Sequence, residues 1–177
     1  SCTARLKGER IMLPKKVEEI INAQIQKEDY SSQLYLSMAS WAENNGFEGI
    51  ADWLYAQSEE ERVHMLKFVK YVNDRDGVAI IPAVDKPPAE FDNVKLLFDK
   101  VLEHEKFISA SINEIVGVCM DERDFTTQNW IQWFVTEQIE EEASVKAIID
   151  KLNLLGDTNL YLFDKDILSM RGGGEPA

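Results

Sequence analysis

The sequence predicts an all-α fold: a four-helix bundle with one long crossover and a short fifth helix at the C-terminal end. Three observations carry this reading. Apolar residues recur at helical spacing over four long stretches, while strand-like alternation never persists for more than a few residues. Three connections are short, so they join antiparallel neighbours. The connection between the second and third stretches is long, and its prolines at 82, 87 and 88 forbid a helix interior. A segment of that kind can run the length of a bundle, which separates this arrangement from plain up-down-up-down topology.

Each element has its own signals. The first helix is expected from about Pro14 to Ala42, because proline suits a first helical turn and Glu43-Asn44-Asn45-Gly46 stops it. The second runs from near Phe47 to near Asp76-Gly77. The extended stretch Val78 to Asn93 follows, then a third helix from about Asn93 to Met120. A fourth is expected over Asp124 to Leu155, with Gly156 past its end, and a shorter fifth over Asn159 to Met170. Three segments result. Residues 1–12 are an N-terminal extension, disordered, or the remnant of processing or an appended leader. Residues 13–170 are one domain. Residues 171–177, rich in glycine, are a flexible tail.

Composition narrows the function. The chain has 177 residues and a formal net charge of −13. That balance opposes binding to nucleic acid or an anionic membrane, both of which need clustered Lys and Arg, and it suits a protein that attracts cations. No apolar run reaches the roughly 18 residues of a membrane span. Cys2 and Cys119 are the only cysteines, and a reducing, cytoplasmic compartment is the simplest reading.

The informative residues are glutamates on the wrong face. Positions seven apart on a helix share nearly one face. Glu28 lies between Ile21 and Tyr35, Glu61 between Leu54 and Phe68, Glu105 between Phe98 and Ile112, and Glu141 between Phe134 and Ile148. Each long helix thus carries one glutamate inside its apolar stripe near mid-length, so the four can meet in one layer. His64 follows Glu61 by three positions and Gln138 precedes Glu141 by three, within reach of the same layer. Burying an ionised carboxylate costs on the order of several kcal/mol unless it is paired or holds a metal. Lys27 and Lys106 sit one position off the stripes and turn away. A carboxylate-rich site with one imidazole suits iron or manganese, and Glu-x-x-His with further glutamates from other helices is a di-iron pattern. Glu59 points to water. Glu60, Glu137 and Glu140 lie beside the layer and form a candidate satellite cation site. His104 is read as structural or surface, the four tryptophans as packing or subunit contacts with Trp133 near enough to donate an electron, and Cys119 as an inert buried thiol.

These residues carry a resemblance. EDYSSQLYLSMASW (28–41), FEGIADWL (47–54), SEEERVHM (58–65), HE (104–105) and WFVTEQIEEE (133–142) together resemble the non-haem ferritins, most closely the bacterial-type branch. The resemblance covers about Leu13 to Met170. It implies a ferritin-like four-helix bundle closed by a fifth helix, assembled with copies of itself into a cage of 24 subunits. It also implies ferroxidase activity: Fe(II) is oxidised by dioxygen at a di-iron centre and stored as a mineral. By the resemblance that centre comprises Glu28, Glu61, His64, Glu105, Gln138 and Glu141. Glu61 bridges both irons, Tyr35 is the site tyrosine, and Glu60, Glu137 and Glu140 form a third iron site.

The departures are specific. The fourth helix offers Gln138-x-x-Glu141 where bacterioferritin-like proteins have a second Glu-x-x-His, so the second iron is expected to be held less firmly. Arg62 stands where bacterioferritins place a haem-ligating methionine, so no haem is expected. Thr127, Gln128 and Ile131 replace the acidic channel positions of animal ferritins, and Val63 replaces their nucleation glutamate. Two other classes compete: a di-iron oxidoreductase without storage, and a non-catalytic assembly chain. The absence of Cys-x-x-Cys pairs and the fifth helix weigh against the first, and the intact ligand set weighs against the second.

Overall fold

A computed structural model describes residues 12–156 and 158–170. The expected N-terminal extension, apart from Met12, and the C-terminal tail lie outside the described residues. The described residues form helices α1 (Lys15–Asn44), α2 (Glu48–Asp74), α3 (Val94–Asp121), α4 (Phe125–Trp130), α5 (Gln132–Leu155) and α6 (Leu160–Asp166), followed by a 3-10 turn at Ile167–Met170.

The helix ends follow local chemistry. Pro14 stands just before α1, where its missing N–H costs nothing, and its carbonyl accepts from Glu18 N–H at 2.9 Å. Asn93 caps α3 by accepting from Leu96 N–H, and Asp124 caps α4 by accepting from Thr127 N–H. Gly46 takes a φ of +84° in the turn between α1 and α2, a conformation that costs glycine little.

Two apolar cores lie at opposite ends of the bundle. One gathers Met38, Leu54, Phe98 and Ile148 with Phe163 and Ile167 of the C-terminal elements. The other gathers Ile21, Phe68, Ile112, Ile131 and Phe134. The first core therefore holds the C-terminal half of α1, the N-terminal halves of α2 and α3, and the C-terminal half of α5. Helices α2 and α3 run parallel, so the chain must return along the whole bundle between them. The crossover does this against α1. Val78 N–H donates to Glu18 Oε1, Ile80 N–H to Asn22 Oδ1, and Ser37 Oγ to the Pro88 carbonyl. Residues 18 to 37 correspond to about 28 Å of helix.

The structure differs from the sequence reading in one element. The expected fourth helix is split at Ile131, giving α4 and α5. There Phe134 N–H bonds the Ile131 carbonyl three residues back, and the Gln132 side-chain amide takes the Gln128 carbonyl. No proline or glycine marks this irregularity. Ile131 itself is fully buried in the second core, so packing fixes a position that helical periodicity passes over. The expected fifth helix is likewise one short α-helix that tightens into a 3-10 turn.

Candidate metal centre

Between the two cores lies a polar layer. Glu28, Glu61, His64, Glu105, Gln138 and Glu141 are all buried, although they sit at mid-helix among apolar neighbours. Helix α1 supplies Glu28, α2 supplies Glu61 and His64, α3 supplies Glu105, and α5 supplies Gln138 and Glu141. Two groups form, each with ligand atoms within 4.8 Å of one another: Glu28, Glu61 and His64, and Glu61, Glu105 and Glu141. Glu61 belongs to both.

The hydrogen bonds of this layer come from neutral donors. Gln24 donates to Glu28 at 2.9 Å, Gln57 to Glu141 at 3.0 Å, and Gln138 to Glu105 Oε2 at 3.1 Å. The Tyr35 hydroxyl donates to Glu105. His64 Nδ1 lies 3.3 Å from Glu61 Oε2. Two buried oxygens, Glu28 Oε2 and Glu61 Oε1, have no hydrogen-bond partner. An unsatisfied buried acceptor is costly, and here two converge from neighbouring helices.

Electrostatics describe the same strain. Burial is the largest cause of every shift, and the neighbouring carboxylates add to it. Glu28 and Glu61 are held well above the usual carboxylate range. Glu105 is raised to about 7 and Glu141 to about 9. Burial and the Glu105 charge also push the Tyr35 hydroxyl up, so it stays a proton donor. The metal-free layer thus relieves repulsion by keeping protons. A divalent cation relieves it by displacing them. Carboxylate oxygens with one imidazole form a hard-to-borderline donor set that fits Fe(II).

A second cluster adjoins the first. Glu60, His64 and Glu137 form another group within 4.8 Å, and both glutamates are partly exposed. Glu140 is exposed and outside this group, but its charge helps raise Glu137, after burial and Glu60. His104 is partly buried. Its Nε2 lies 2.6 Å from Ser31 Oγ, and desolvation lowers it to about 4, so it is a neutral supporting residue. Cys119 is buried, and desolvation raises its thiol to about 11, which keeps it protonated.

Sequence reasoning missed Gln24 and Gln57. A signal existed. Each lies four residues before a layer glutamate, Gln24 before Glu28 and Gln57 before Glu61, on the same inward stripe. Ser109, which accepts from Gln138 at 3.1 Å, also lies four residues from a layer glutamate, Glu105, but a half-buried serine in a helix raises no alarm.

The profile of the ferritin-like domain family matches residues 18–155. A probable bacterial non-heme ferritin-like protein of Haemophilus influenzae is 42% identical over 158 residues, covering 88% of this chain and 96% of that protein. A bacterial non-heme ferritin of Campylobacter jejuni is 40% identical over 158 residues, covering 88% of this chain and 95% of its own length. The crystal structure of an open pore ferritin from the archaeon Archaeoglobus fulgidus superposes with a TM-score of 0.86 at 40% identity. It covers 88% of this chain and 96% of that one. With its bundle, its long crossover and its buried carboxylate layer, the chain belongs to the non-haem ferritin family.

Proposed function

We propose that the chain is a ferroxidase and iron-storage subunit, and that Fe(II) and dioxygen are its substrates. Glu28, Glu61 and His64 take one Fe(II), and Glu61, Glu105 and Glu141 take the other, with Gln138 beside them. The observation that carries this reading is the sharing of Glu61 by two ligand groups around oxygens that lack partners. A carboxylate common to both sites sets two metals side by side, where dioxygen can draw an electron from each.

The chain's own residues then do defined work. Glu28, Glu61, Glu105 and Glu141 release protons as Fe(II) enters. Tyr35 and Gln138 hold Glu105 in orientation through hydrogen bonds. Gln24 and Gln57 do the same for Glu28 and Glu141. Glu60 and Glu137, with Glu140 nearby, serve as a third iron site on the way out. Fe(III) collects as a mineral inside a cage of 24 copies in the cytoplasm. The net charge of −13 favours cation uptake, and binding of nucleic acid or haem forms no part of the role. Residues 13–170 act as the single working domain.

The test is stopped-flow Fe(II) oxidation with graded iron. The parent should oxidise about two Fe(II) per chain in a fast phase, one for each ligand group. Glu61→Ala should slow that phase by more than about 100-fold, since losing a residue that only supports a metal ligand already costs about 10- to 100-fold. A variant as fast as the parent would refute the centre.

A further inference from the structure

Two serines tie α1 to α2. Ser32 Oγ donates to the Ser58 carbonyl at 2.8 Å, and Ser58 Oγ donates to the Ser32 carbonyl at 2.7 Å. The two hydroxyl oxygens lie 3.2 Å apart, and both residues are buried. A serine inside a helix usually turns its hydroxyl to a carbonyl of its own helix, about one turn back. Two other buried serines do so: Ser31 bonds the Lys27 carbonyl at 2.9 Å, and Ser111 the Ile108 carbonyl at 2.8 Å. Ser32 and Ser58 leave that option unused and reach across instead. Close packing does not explain the choice, because alanine at both positions would admit the same approach. A carbonyl inside a helix already accepts from the N–H four residues on, so the crossed bonds are additional and join one backbone to the other.

The tie stands one turn from the metal centre. Ser32 follows Glu28 by four residues and Ser58 precedes Glu61 by three, about 6 Å and about 4.5 Å along their helices. Helices α1 and α2 run antiparallel, so both glutamates lie on the same side of the tie. Neither serine gives its proton to a glutamate. At the level of the glutamates a force opposes contact between the helices. Glu28 Oε2 and Glu61 Oε1 are buried acceptors without a donor. Two such oxygens gain by moving apart or by admitting water. Another bond between α1 and α2, from the Tyr55 hydroxyl to Glu43, lies about three turns farther along α1 in an exposed position. The crossed serines are thus well placed to hold the two oxygens together.

We propose that Ser32 and Ser58 are positioning residues for the metal centre: their crossed hydroxyl bonds hold α1 against α2 and keep Glu28 and Glu61 spaced for a dication before it arrives. This role rests on the reading of the buried layer as a metal centre, and it adds two residues that donate to no ligand. In the empty centre the serines oppose separation of the two oxygens. A dication held between those oxygens draws α1 and α2 together itself. Without the hydroxyls the empty chain settles with the glutamates farther apart, and binding must first restore their spacing. The cost therefore falls on metal affinity. It falls mainly on the group of Glu28, Glu61 and His64, which spans α1 and α2. The group of Glu61, Glu105 and Glu141 takes nothing from α1 and is affected less.

The experiment is Co(II) titration of the full-length, metal-free protein, followed by the visible absorption of the bound ion. It compares the parent with Ser32→Ala, Ser58→Ala, the double variant, Ser111→Ala, Glu28→Ala and Glu61→Ala, each checked for parental helicity by circular dichroism. Glu28→Ala marks the ion held across α1 and α2. Ser111→Ala removes a buried hydroxyl that ties no helices together. The double variant should bind the Glu28-dependent ion about 10-fold more weakly, the low end of the usual cost of losing an outer support of a metal site, with an altered absorption band. Each single variant keeps one crossed bond and should lose less, and Ser111→Ala should match the parent. Parental affinity and spectrum in the double variant overturn the role. So does equal weakening of both buried ions, or a Ser111→Ala as weak as the double variant, since either means general loosening. Should the double variant lose its helicity, the single variants decide, and parental affinity in both overturns the role. A parent from which neither Glu28→Ala nor Glu61→Ala removes bound Co(II) overturns the metal-centre reading beneath it.

Discussion

Glu61 is the residue through which the two ligand groups communicate, and it shows how the layer trades stability for binding. Its neighbour Glu141 makes the trade measurable. Glu141 is raised from 4.5 to about 9 and Glu105 from 4.5 to about 7, chiefly by desolvation. The folded chain therefore keeps protons that the unfolded chain has already released. Stability from these groups is complete below about pH 4.5 and is lost as pH rises through about 7 and then about 9. Glu141→Gln cannot ionise, so it should stabilise the metal-free protein in the alkaline range and leave acid-range stability nearly unchanged. A gain of about 1–2 kcal/mol would raise the midpoint by several degrees in a chain of this size. Thermal melts across this pH range, with a chelator present, check this; a variant less stable than the parent at alkaline pH would contradict it. Legibility at this scale followed charge. Glu28, Glu61, Glu105 and Glu141 stood out because an ionised group on an apolar stripe is costly. Gln24 and Gln57 occupy the same stripes but are neutral, so they raised no alarm.

At the scale of elements, the crossover and the short C-terminal helix decide what the bundle becomes. The crossover was readable, because three prolines in a long span without helical periodicity leave few alternatives. The docking of α6 was not. It depends on Gly49 at the start of α2, where a Cβ would lie 1.8 Å from the Asp164 carbonyl oxygen. The Asp164 side chain accepts from Ile50 N–H at 2.8 Å, so α6 also serves as part of the α2 cap. A glycine in a sequence gives no hint of which backbone approaches it. Gly49→Ala should force α6 away and cost roughly 1–3 kcal/mol, the usual range for overpacking. Hydrogen exchange should then accelerate in residues 160–170 while the four-glutamate layer keeps its protection. Unchanged exchange in α6 would contradict this account of its docking. The break at Ile131 was equally hidden, since burial of one side chain and a side-chain amide on a backbone carbonyl leave no periodic trace.

At the scale of the whole molecule, two apolar cores clamp one charged layer, and the cores supply the folding stability that the layer withdraws. The surface adds a second theme. Val78, Ile80 and Ile81 on the crossover, with Leu154, Tyr161 and Leu168 near the C-terminal end, expose large apolar side chains. Such surface is expected of a subunit that buries it against copies of itself. The proposed function joins these scales: the layer would oxidise Fe(II), and the assembled subunits would retain the product. Aerobic Fe(II) loading of metal-free protein, followed by sizing and iron-per-chain analysis of the soluble fraction, tests it most directly. Storage predicts one large assembly that holds far more iron than the roughly two or three ions its ligand groups can bind. A small oligomer that stops at about two per chain would contradict storage and leave a di-iron oxidoreductase.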